Sequence, residues 1–186
     1  MAGTAGNLSA RADGGGFWIT ASGLPKGQLD ERDFLQVCGA DGVVLQRFSA
    51  TARPSAETAI HAVIYELFPE ARACFHVHSV DACVAAERAA AETEMTLPAM
   101  EMIKGLGVWD EAPQVALPLF PNWADIRRIA DEIHGRFSRR PPPVPALMIR
   151  GHGVTVWGPS LQDSYNRLEV VEFLMSCARA LQDDTA

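Results

Sequence analysis

The stretch that most constrains this chain is Ala71 to Ala82, with the sequence ARACFHVHSVDA. Its pattern predicts a short strand from Ala73 to His78, followed by a helix that begins near Ser79. Successive side chains of a strand point to opposite faces, so His76 and His78 share one face. Two imidazoles on one rigid face can reach a single metal ion, whereas the alternative interpretation is a pair of ordinary surface or core histidines.

A third histidine, His152, lies between Gly151 and Gly153, directly after a predicted strand from Pro145 to Arg150. Glycines permit tight backbone turns, so the imidazole at this position can be presented freely. Together with the two strand histidines it would make three neutral imidazole ligands with one or two metal positions left open. Such a set suits a Lewis-acid or water-activating site better than a structural one. A histidine in an ordinary β-turn is the alternative.

Length and charge exclude several classes of protein. The 186 residues predict one domain over residues 1–186, and 48% hydrophobic residues allow a sizeable core. The net charge of −7, without a basic stripe, argues against a nucleic-acid-binding role. No apolar run is long enough to span a membrane, and the first residues lack the pattern of a signal peptide, so we expect a cytoplasmic protein. The four irregularly spaced cysteines are expected to be buried, reduced thiols.

The hydrophobic pattern predicts a mixed order of strands and helices. Further strands are predicted at 16–21, 42–48, 114–120 and 154–157. Helices are predicted from about 55 to 67, 79 to 92, 123 to 137 and from 160 onward. Residues 4–11 are expected to form a loop, and 29–35 a short helical turn. This order, without a Gly-rich dinucleotide fingerprint, favours an α+β or layered α/β/α domain.

The helix that begins near Ser55 carries an acid at its start. Ser55 is a candidate helix cap, and Glu57 is expected in the first turn, where the helix dipole favours a carboxylate. His61 in this helix is interpreted as an ordinary half-buried residue. His134, in a later amphipathic helix, is interpreted as structural or solvated.

Five short motifs occur in an order typical of one family: TAGNLSAR, ITASG, RPSAET, FHVHS and IRGHGVTVWG. On these motifs the chain resembles the class II aldolase/adducin family across nearly its whole length. The resemblance implies a zinc-binding homotetramer that acts on a small sugar phosphate. It also implies a three-layer α/β/α fold with a central mixed or antiparallel sheet. The segment EMIKGLGVW, from Glu101 to Trp109, is most similar to the branch of the family that dehydrates methylthioribulose 1-phosphate in methionine salvage.

The resemblance also implies roles for individual residues. His76, His78 and His152 match the zinc ligands. Glu101 matches the acid/base of the dehydratases, while Glu57 matches the acid/base of the aldolases. Both acids are present, so the choice of base stays open, with Glu101 expected to carry most of the proton transfer.

The substrate phosphate is expected at a second group of matched residues, which are Thr4, Asn7, Ser22, Gly23 and Ser55. Ala56 stands where the aldolases have a second serine. Family members usually have a helical segment before the first motif. Here that motif begins at Thr4, which is consistent with a chain that starts late.

The metal ligands identify a site without choosing its reaction, because dehydration and aldol cleavage both begin from a polarised carbonyl. A class II sugar-phosphate aldolase of the fuculose or ribulose type is therefore an alternative. A non-catalytic, adducin-like scaffold is a third possibility, disfavoured because all three histidines and both acids are present.

Overall fold

The structure is a computed structural model, and it describes residues 5–24, 27–89, 91 and 93–183. Within these residues the strands form a nine-stranded sheet in the order β4-β3-β2-β1-β5-β9-β8-β7-β6. The strands are β1 (Ala5–Arg11), β2 (Phe17–Thr20), β3 (Phe34–Cys38), β4 (Val43–Arg47), β5 (Ala73–His78), β6 (Glu94–Thr96), β7 (Ala116–Phe120), β8 (Ala146–Ile149) and β9 (Gly153–Gly158). Neighbouring strands are antiparallel, except that β7 and β8 run parallel, so the sheet is mixed.

Helices cover both faces of the sheet. They are α1 (Thr58–Leu67), α2 (Val80–Glu87), α3 (Ile126–Phe137) and α4 (Leu161–Asp183), with 3₁₀ helices at Glu31–Asp33 and Glu101–Leu106. One buried core joins α1 and α3 to the sheet, and a second joins α2, α4 and the second 3₁₀ helix to the opposite face. The expected three-layer α/β/α fold is therefore confirmed.

Strand β5 lies in the middle of the sheet and carries the His-x-His pair. The structure confirms its bounds at Ala73–His78. It pairs with β1 on one side, where His76 is opposite Asn7, and with β9 on the other, where His76 is opposite Thr155. Directly opposed residues on neighbouring strands point to the same face. A row of three polar side chains thus crosses the sheet on the α1 side.

Three predicted elements differ from the structure. Residues 5–11 form strand β1 rather than a loop, because they pair with β5 and β2 over most of their length. Within 29–35 only Glu31–Asp33 is helical, and β3 begins at Phe34. The helix after β5 ends at Glu87 instead of near residue 92. Short polar sequences with glycine resemble loops until a neighbouring strand completes their hydrogen bonds.

The start of α1 also differs from the expectation. The helix begins at Thr58, with Glu57 at the capping position, and the Glu57 side chain makes no capping bond. Ser55 Oγ, three residues before the first residue of the helix, accepts a hydrogen bond from the Glu57 backbone N–H at 3.3 Å. Glu57 therefore lies outside the first turn, and its carboxylate is free to point across the sheet.

Two expectations about composition can be compared with the structure. Among the described helices, none has both the length and the apolar character needed to cross a bilayer. All four cysteines are free thiols, as expected. The expectation that they are buried holds fully only for Cys74, since Cys38 is exposed and the other two are half-buried. The single domain over residues 1–186 stays a prediction.

Candidate metal centre

The two histidines of β5 place their rings side by side at the end of the strand. His76 is fully buried, and His78 is about a third exposed, with 29% of its side chain accessible. Their Nε2 atoms lie 2.9 Å apart. The geometry agrees with the sequence prediction that both imidazoles lie on one face of β5, because side chains two residues apart on a strand point to the same side.

His152 joins this pair from the turn between β8 and β9. Its ring centre lies 4.5 Å from that of His78 and 5.0 Å from that of His76. Both flanking glycines are required for this placement. Gly151 has a φ of +60°, and a Cβ at Gly153 would lie 2.3 Å from the Val77 carbonyl oxygen. The glycines therefore allow the turn and the close approach of β9 to β5.

Glu57 supplies a carboxylate to the three rings. Its Oε1 lies 2.8 Å from Nε2 of His152, 3.5 Å from Nε2 of His78 and 3.6 Å from Nε2 of His76. Burial alone would raise the pKa of Glu57. Hydrogen bonds from His152 and His78, together with the electrostatic effect of the neighbouring His76 ring, outweigh that effect and hold the pKa well below its usual range.

The four ligand atoms have the spacing of a tetrahedral metal site. All lie within 4.8 Å of one another. Four ligands about 2.1 Å from one tetrahedral ion are about 3.4 Å apart. The measured separations of 2.8, 2.9, 3.5 and 3.6 Å are distributed around this value. Three imidazoles and a carboxylate form a donor set suited to a divalent metal ion.

The surroundings of His76 and His152 also fit a metal. Burial lowers the pKa of His76 to about 3, so the ring is neutral and can use a lone pair as a ligand. Its Nδ1 lies 2.8 Å from Thr155 Oγ1. A hydroxyl that accepts from Nδ1–H leaves Nε2 unprotonated and aimed at the cluster. His152 Nδ1 is buried without a hydrogen-bond partner, so its Nε2 is the atom engaged in the cluster.

The structure places the second candidate acid outside this cluster. Glu101 opens the 3₁₀ helix Glu101–Leu106, and 84% of its side chain is exposed. Its Oε1 pairs with Lys104 Nζ at 2.6 Å. The four-residue ligand group contains Glu57 and not Glu101. The sequence expectation that Glu101 carries most of the proton transfer stays a prediction.

The expected phosphate residues are partly brought together. The Ser22 backbone N–H donates to the Arg53 carbonyl at 2.9 Å, and Ala21 bridges to Pro54, so the Ser22-Gly23 turn lies beside the segment that leads to Ser55. Gly23 has a φ of +79°, as the turn requires. Thr4 lies outside the described residues.

Asn7 and His61 form a connection that the sequence interpretation missed. The Asn7 amide nitrogen donates to Glu57 Oε2, and its amide oxygen lies 2.5 Å from His61 Nε2. His61 is fully buried rather than half-buried, which corrects the earlier interpretation. Its position four residues after Glu57 was the available signal, since that spacing brings side chains together along a helix. His134 is confirmed as a solvated residue, with 43% of its side chain exposed beside Glu66.

Comparison with known proteins agrees with this architecture. The family model of the Class II Aldolase and Adducin N-terminal domain matches residues 1–178. The chain is 55% identical over 174 residues to a methylthioribulose-1-phosphate dehydratase of Microcystis aeruginosa, which covers 94% of this chain and 84% of that protein. It is 44% identical over 182 residues to the protein of that name in Leptospira biflexa, covering 94% and 86% of the two chains.

Two solved structures have a similar fold. YgbL of Escherichia coli superimposes with a TM-score of 0.75 at 26% identity, over 94% of this chain and 78% of that one. An L-fuculose 1-phosphate aldolase superimposes with a TM-score of 0.77 at 20% identity, over 100% and 80% of the two chains. The family match and the cluster of three histidines and one glutamate support a divalent metal in this site. On this evidence the chain belongs to the class II aldolase and adducin N-terminal domain family.

Proposed function

We propose that this chain is a zinc-dependent methylthioribulose-1-phosphate dehydratase of methionine salvage. It would convert 5-methylthioribulose 1-phosphate to 2,3-diketo-5-methylthiopentyl 1-phosphate. The observation that carries this proposal is the 55% identity to a dehydratase of that name over 84% of its length. The metal-suited cluster supports it, since a hydro-lyase acting beside a carbonyl needs an electrophile. We place the enzyme in the cytoplasm.

Different residues of the chain would bind the metal and transfer the proton in this reaction. His76, His78 and His152 would hold the zinc ion, which as a Lewis acid polarises the substrate carbonyl. Glu57 completes the donor set with Oε1 while Oε2 is held by Asn7. Its carboxylate is thus committed on both oxygens before any substrate arrives.

Glu101 is the carboxylate left for acid–base work. The ion pair that Glu101 makes with Lys104 is exposed, and exposed ion pairs are weak enough to exchange for a substrate contact. In the proposed reaction Glu101 takes the proton from the carbon next to the carbonyl. Glu101 then gives this proton to the hydroxyl on the following carbon, which leaves as water, and the resulting enol tautomerises to the second ketone. This role requires the Glu101 carboxylate to reach the carbon next to the polarised carbonyl when the substrate is bound.

The phosphate end of the substrate would lie at the paired segments around Ser22-Gly23 and Ser55. The Ser55 hydroxyl, the turn backbone and the nearby start of α1 supply hydrogen-bond donors and a partial positive charge. Asn7 was expected in this group. Its amide, with 3% of the residue exposed, is already bonded to Glu57 and His61, so any phosphate contact would come from its backbone.

Product analysis with methylthioribulose 1-phosphate tests the proposal. Loss of one water from an intact carbon chain is the expected result. Two smaller fragments would instead identify an aldolase, which the position of Glu57 inside the histidine cluster favours as the second candidate. Absence of bound metal in the purified protein would favour the third alternative, a non-catalytic, adducin-like scaffold.

We also propose that the protein is a homotetramer. Edge strand β4 and the loop after it leave large apolar side chains exposed: Val43 at 58%, Leu45 at 53% and Phe48 at 55%. Contiguous exposed apolar groups of this kind are typical of surfaces that bind another protein. Light scattering at micromolar concentration should give four times the chain mass. A monomer would contradict the proposed homotetramer and would leave the assignment of the reaction unaffected.

A further inference from the structure

A chain of buried polar side chains leads away from the metal centre into the layer between β1 and α1. After the Glu57–Asn7 and Asn7–His61 contacts, Ser9 Oγ lies 2.6 Å from His61 Nδ1 and 2.8 Å from the Tyr65 hydroxyl. The four residues of this series beyond Glu57, which are Asn7, His61, Ser9 and Tyr65, are each at most 5% exposed. Buried polar groups without water must satisfy one another, so each hydrogen bond here constrains the next.

The direction of every hydrogen bond in this series follows from the Glu57 carboxylate at its outer end. A carboxylate only accepts hydrogen bonds, so the Asn7 atom facing Glu57 is the amide nitrogen, and Asn7 Oδ1 faces His61. Since Oδ1 only accepts, His61 Nε2 must carry a hydrogen. Burial lowers the pKa of His61 to about 4, which keeps the ring neutral and leaves Nδ1 as an acceptor.

The inner end is fixed in the same way. His61 Nδ1 accepts the Ser9 hydroxyl hydrogen, so Ser9 Oγ must in turn accept from the Tyr65 hydroxyl. Burial raises the pKa of Tyr65, so the phenol keeps its proton and remains a donor. All hydrogens in the chain therefore point toward Glu57, from Tyr65 through Ser9, His61 and Asn7.

This arrangement is suited to holding a group in place rather than moving a proton. The amide of Asn7 interrupts any relay, because an amide passes on a proton only by becoming a high-energy imidic acid. Because all the hydrogen bonds in this series point the same way, however, only one arrangement of the side chains satisfies every one of them. The Asn7 amide is thus held in its orientation from both sides, by Glu57 and by His61, which lies two contacts away from the ligand atoms.

We infer that His61 is a positioning residue that, acting through Asn7, holds the Glu57 carboxylate with Oε1 toward the histidine cluster. Without the Nε2–H donor, the Asn7 amide is free to rotate, and Glu57 Oε2 loses its fixed partner. Groups that orient ligands in this indirect way typically change metal affinity or activity about 10–100-fold when they are removed. The consequence for turnover rests on the proposed function, whereas the consequence for metal binding does not.

The tautomer of His61 gives a test that needs no substrate. In zinc-loaded protein labelled with ¹⁵N-histidine, long-range ¹H–¹⁵N spectra distinguish a protonated ring nitrogen from an unprotonated one. The His61 signals are assigned by their loss in the His61→Gln variant. We expect the neutral ring with hydrogen on Nε2 near neutral pH. Hydrogen on Nδ1, or a doubly protonated ring, would overturn the inference.

A matched pair of variants tests the effect on Glu57. The amide nitrogen of glutamine can occupy the place of His Nε2, so His61→Gln keeps the donor to Asn7. An asparagine amide reaches only the place of Nδ1, so His61→Asn loses that donor and keeps the partner of Ser9. Both variants lose ring packing, and they differ at the two ring positions, because His61→Gln keeps the donor to Asn7 and His61→Asn keeps the partner of Ser9.

We expect His61→Asn to raise the dissociation constant for zinc by about tenfold or more and to lower kcat comparably, with KM little changed. His61→Gln should stay close to the wild type in both quantities. Ile133→Ala, a buried change on α3, serves as the stability control. It should lower the urea concentration at the midpoint of unfolding and leave zinc affinity unchanged.

Equal zinc dissociation constants for the two His61 variants would refute the positioning role, whatever their stabilities. If one variant does not fold, the His61 signals are assigned by their loss in the other, and the tautomer in the wild-type protein decides alone. A wild-type protein that fails to dehydrate the substrate contradicts the proposed function, but the tautomer and the zinc affinities still test this inference.

Discussion

Glu57 Oε1 lies 2.8 Å from His152 Nε2, although 95 residues of sequence separate the two. Glu57 precedes α1, and His152 lies in the turn between β8 and β9. Their contact therefore depends on how α1 docks on the sheet and how β9 pairs with β5. It places one negative charge against three imidazole rings, which is an arrangement that a divalent cation would stabilise.

We predict that the cluster binds one divalent metal ion per chain and that this ion is zinc, which suits the donor set. The double variant His76→Ala/His78→Ala should lose that metal, because one imidazole and one carboxylate are too few ligands. Elemental analysis of purified protein measures the content. His134→Ala, which removes an exposed histidine, is the control and should keep the metal. Undiminished metal in the double variant contradicts the assignment.

We predict that Glu101→Gln lowers kcat while the metal stays bound. General acid–base groups typically contribute about 10²–10⁴-fold to the rate, and a loss of that order is expected. Glu57→Gln should lower kcat less and should also weaken metal binding, because Glu57 contacts the histidines. Glu111→Gln, at an exposed position close in sequence, should have no effect.

Steady-state kinetics together with metal analysis distinguish the two acids. Near-normal turnover in Glu101→Gln, combined with loss of turnover in Glu57→Gln at full metal content, reverses the roles. The site would then follow the aldolase pattern, and product analysis alone would carry the assignment of a dehydratase.

We predict that Ser55→Ala raises KM for the phosphorylated substrate and changes kcat little. The hydroxyl lies three residues ahead of the α1 start and next to the Ser22-Gly23 turn, where donors to an anion converge. Ser138→Ala, at the end of α3, is the matched control. An unchanged KM in Ser55→Ala removes this hydroxyl from the phosphate site.

We predict that His61 makes the metal-free protein less stable in mild acid. Burial lowers its pKa from 6.5 to about 4, so between these values the unfolded chain binds a proton that the folded chain does not. Stability from this group is present above pH 6.5 and is lost as the pH falls toward 4. The expected loss between pH 8 and pH 5 is about 2 kcal/mol.

Urea unfolding of metal-free wild type and His61→Gln at the two pH values checks this prediction. The difference between the two proteins isolates His61, because His76 titrates in both. His61→Gln should show the smaller loss of stability on acidification. Equal losses in the two proteins would mean that His61 is not protonated on unfolding in this range.

The sequence alone determined the elements whose signal is local. The alternation of β5 placed His76 and His78 on one face, and that prediction depended only on residues two apart. The apolar stripes of α1 and α3 and the order of the five motifs could also be recognised from the sequence alone. The three-layer fold followed from that order through the family resemblance.

Only the tertiary structure decided what depends on distant pairing. Residues 5–11 resemble a loop in isolation, and they become a central strand because β5 and β2 complete their hydrogen bonds. Glu57 looked like a helix acid, yet the docking of α1 turns its carboxylate onto the three rings. His61 looked unremarkable until β1 brought Asn7 and Ser9 to both ring nitrogens. The physical reason is that periodicity reports neighbours within one turn or one strand, whereas these contacts span about 50 to 95 residues and are set by sheet register and helix packing.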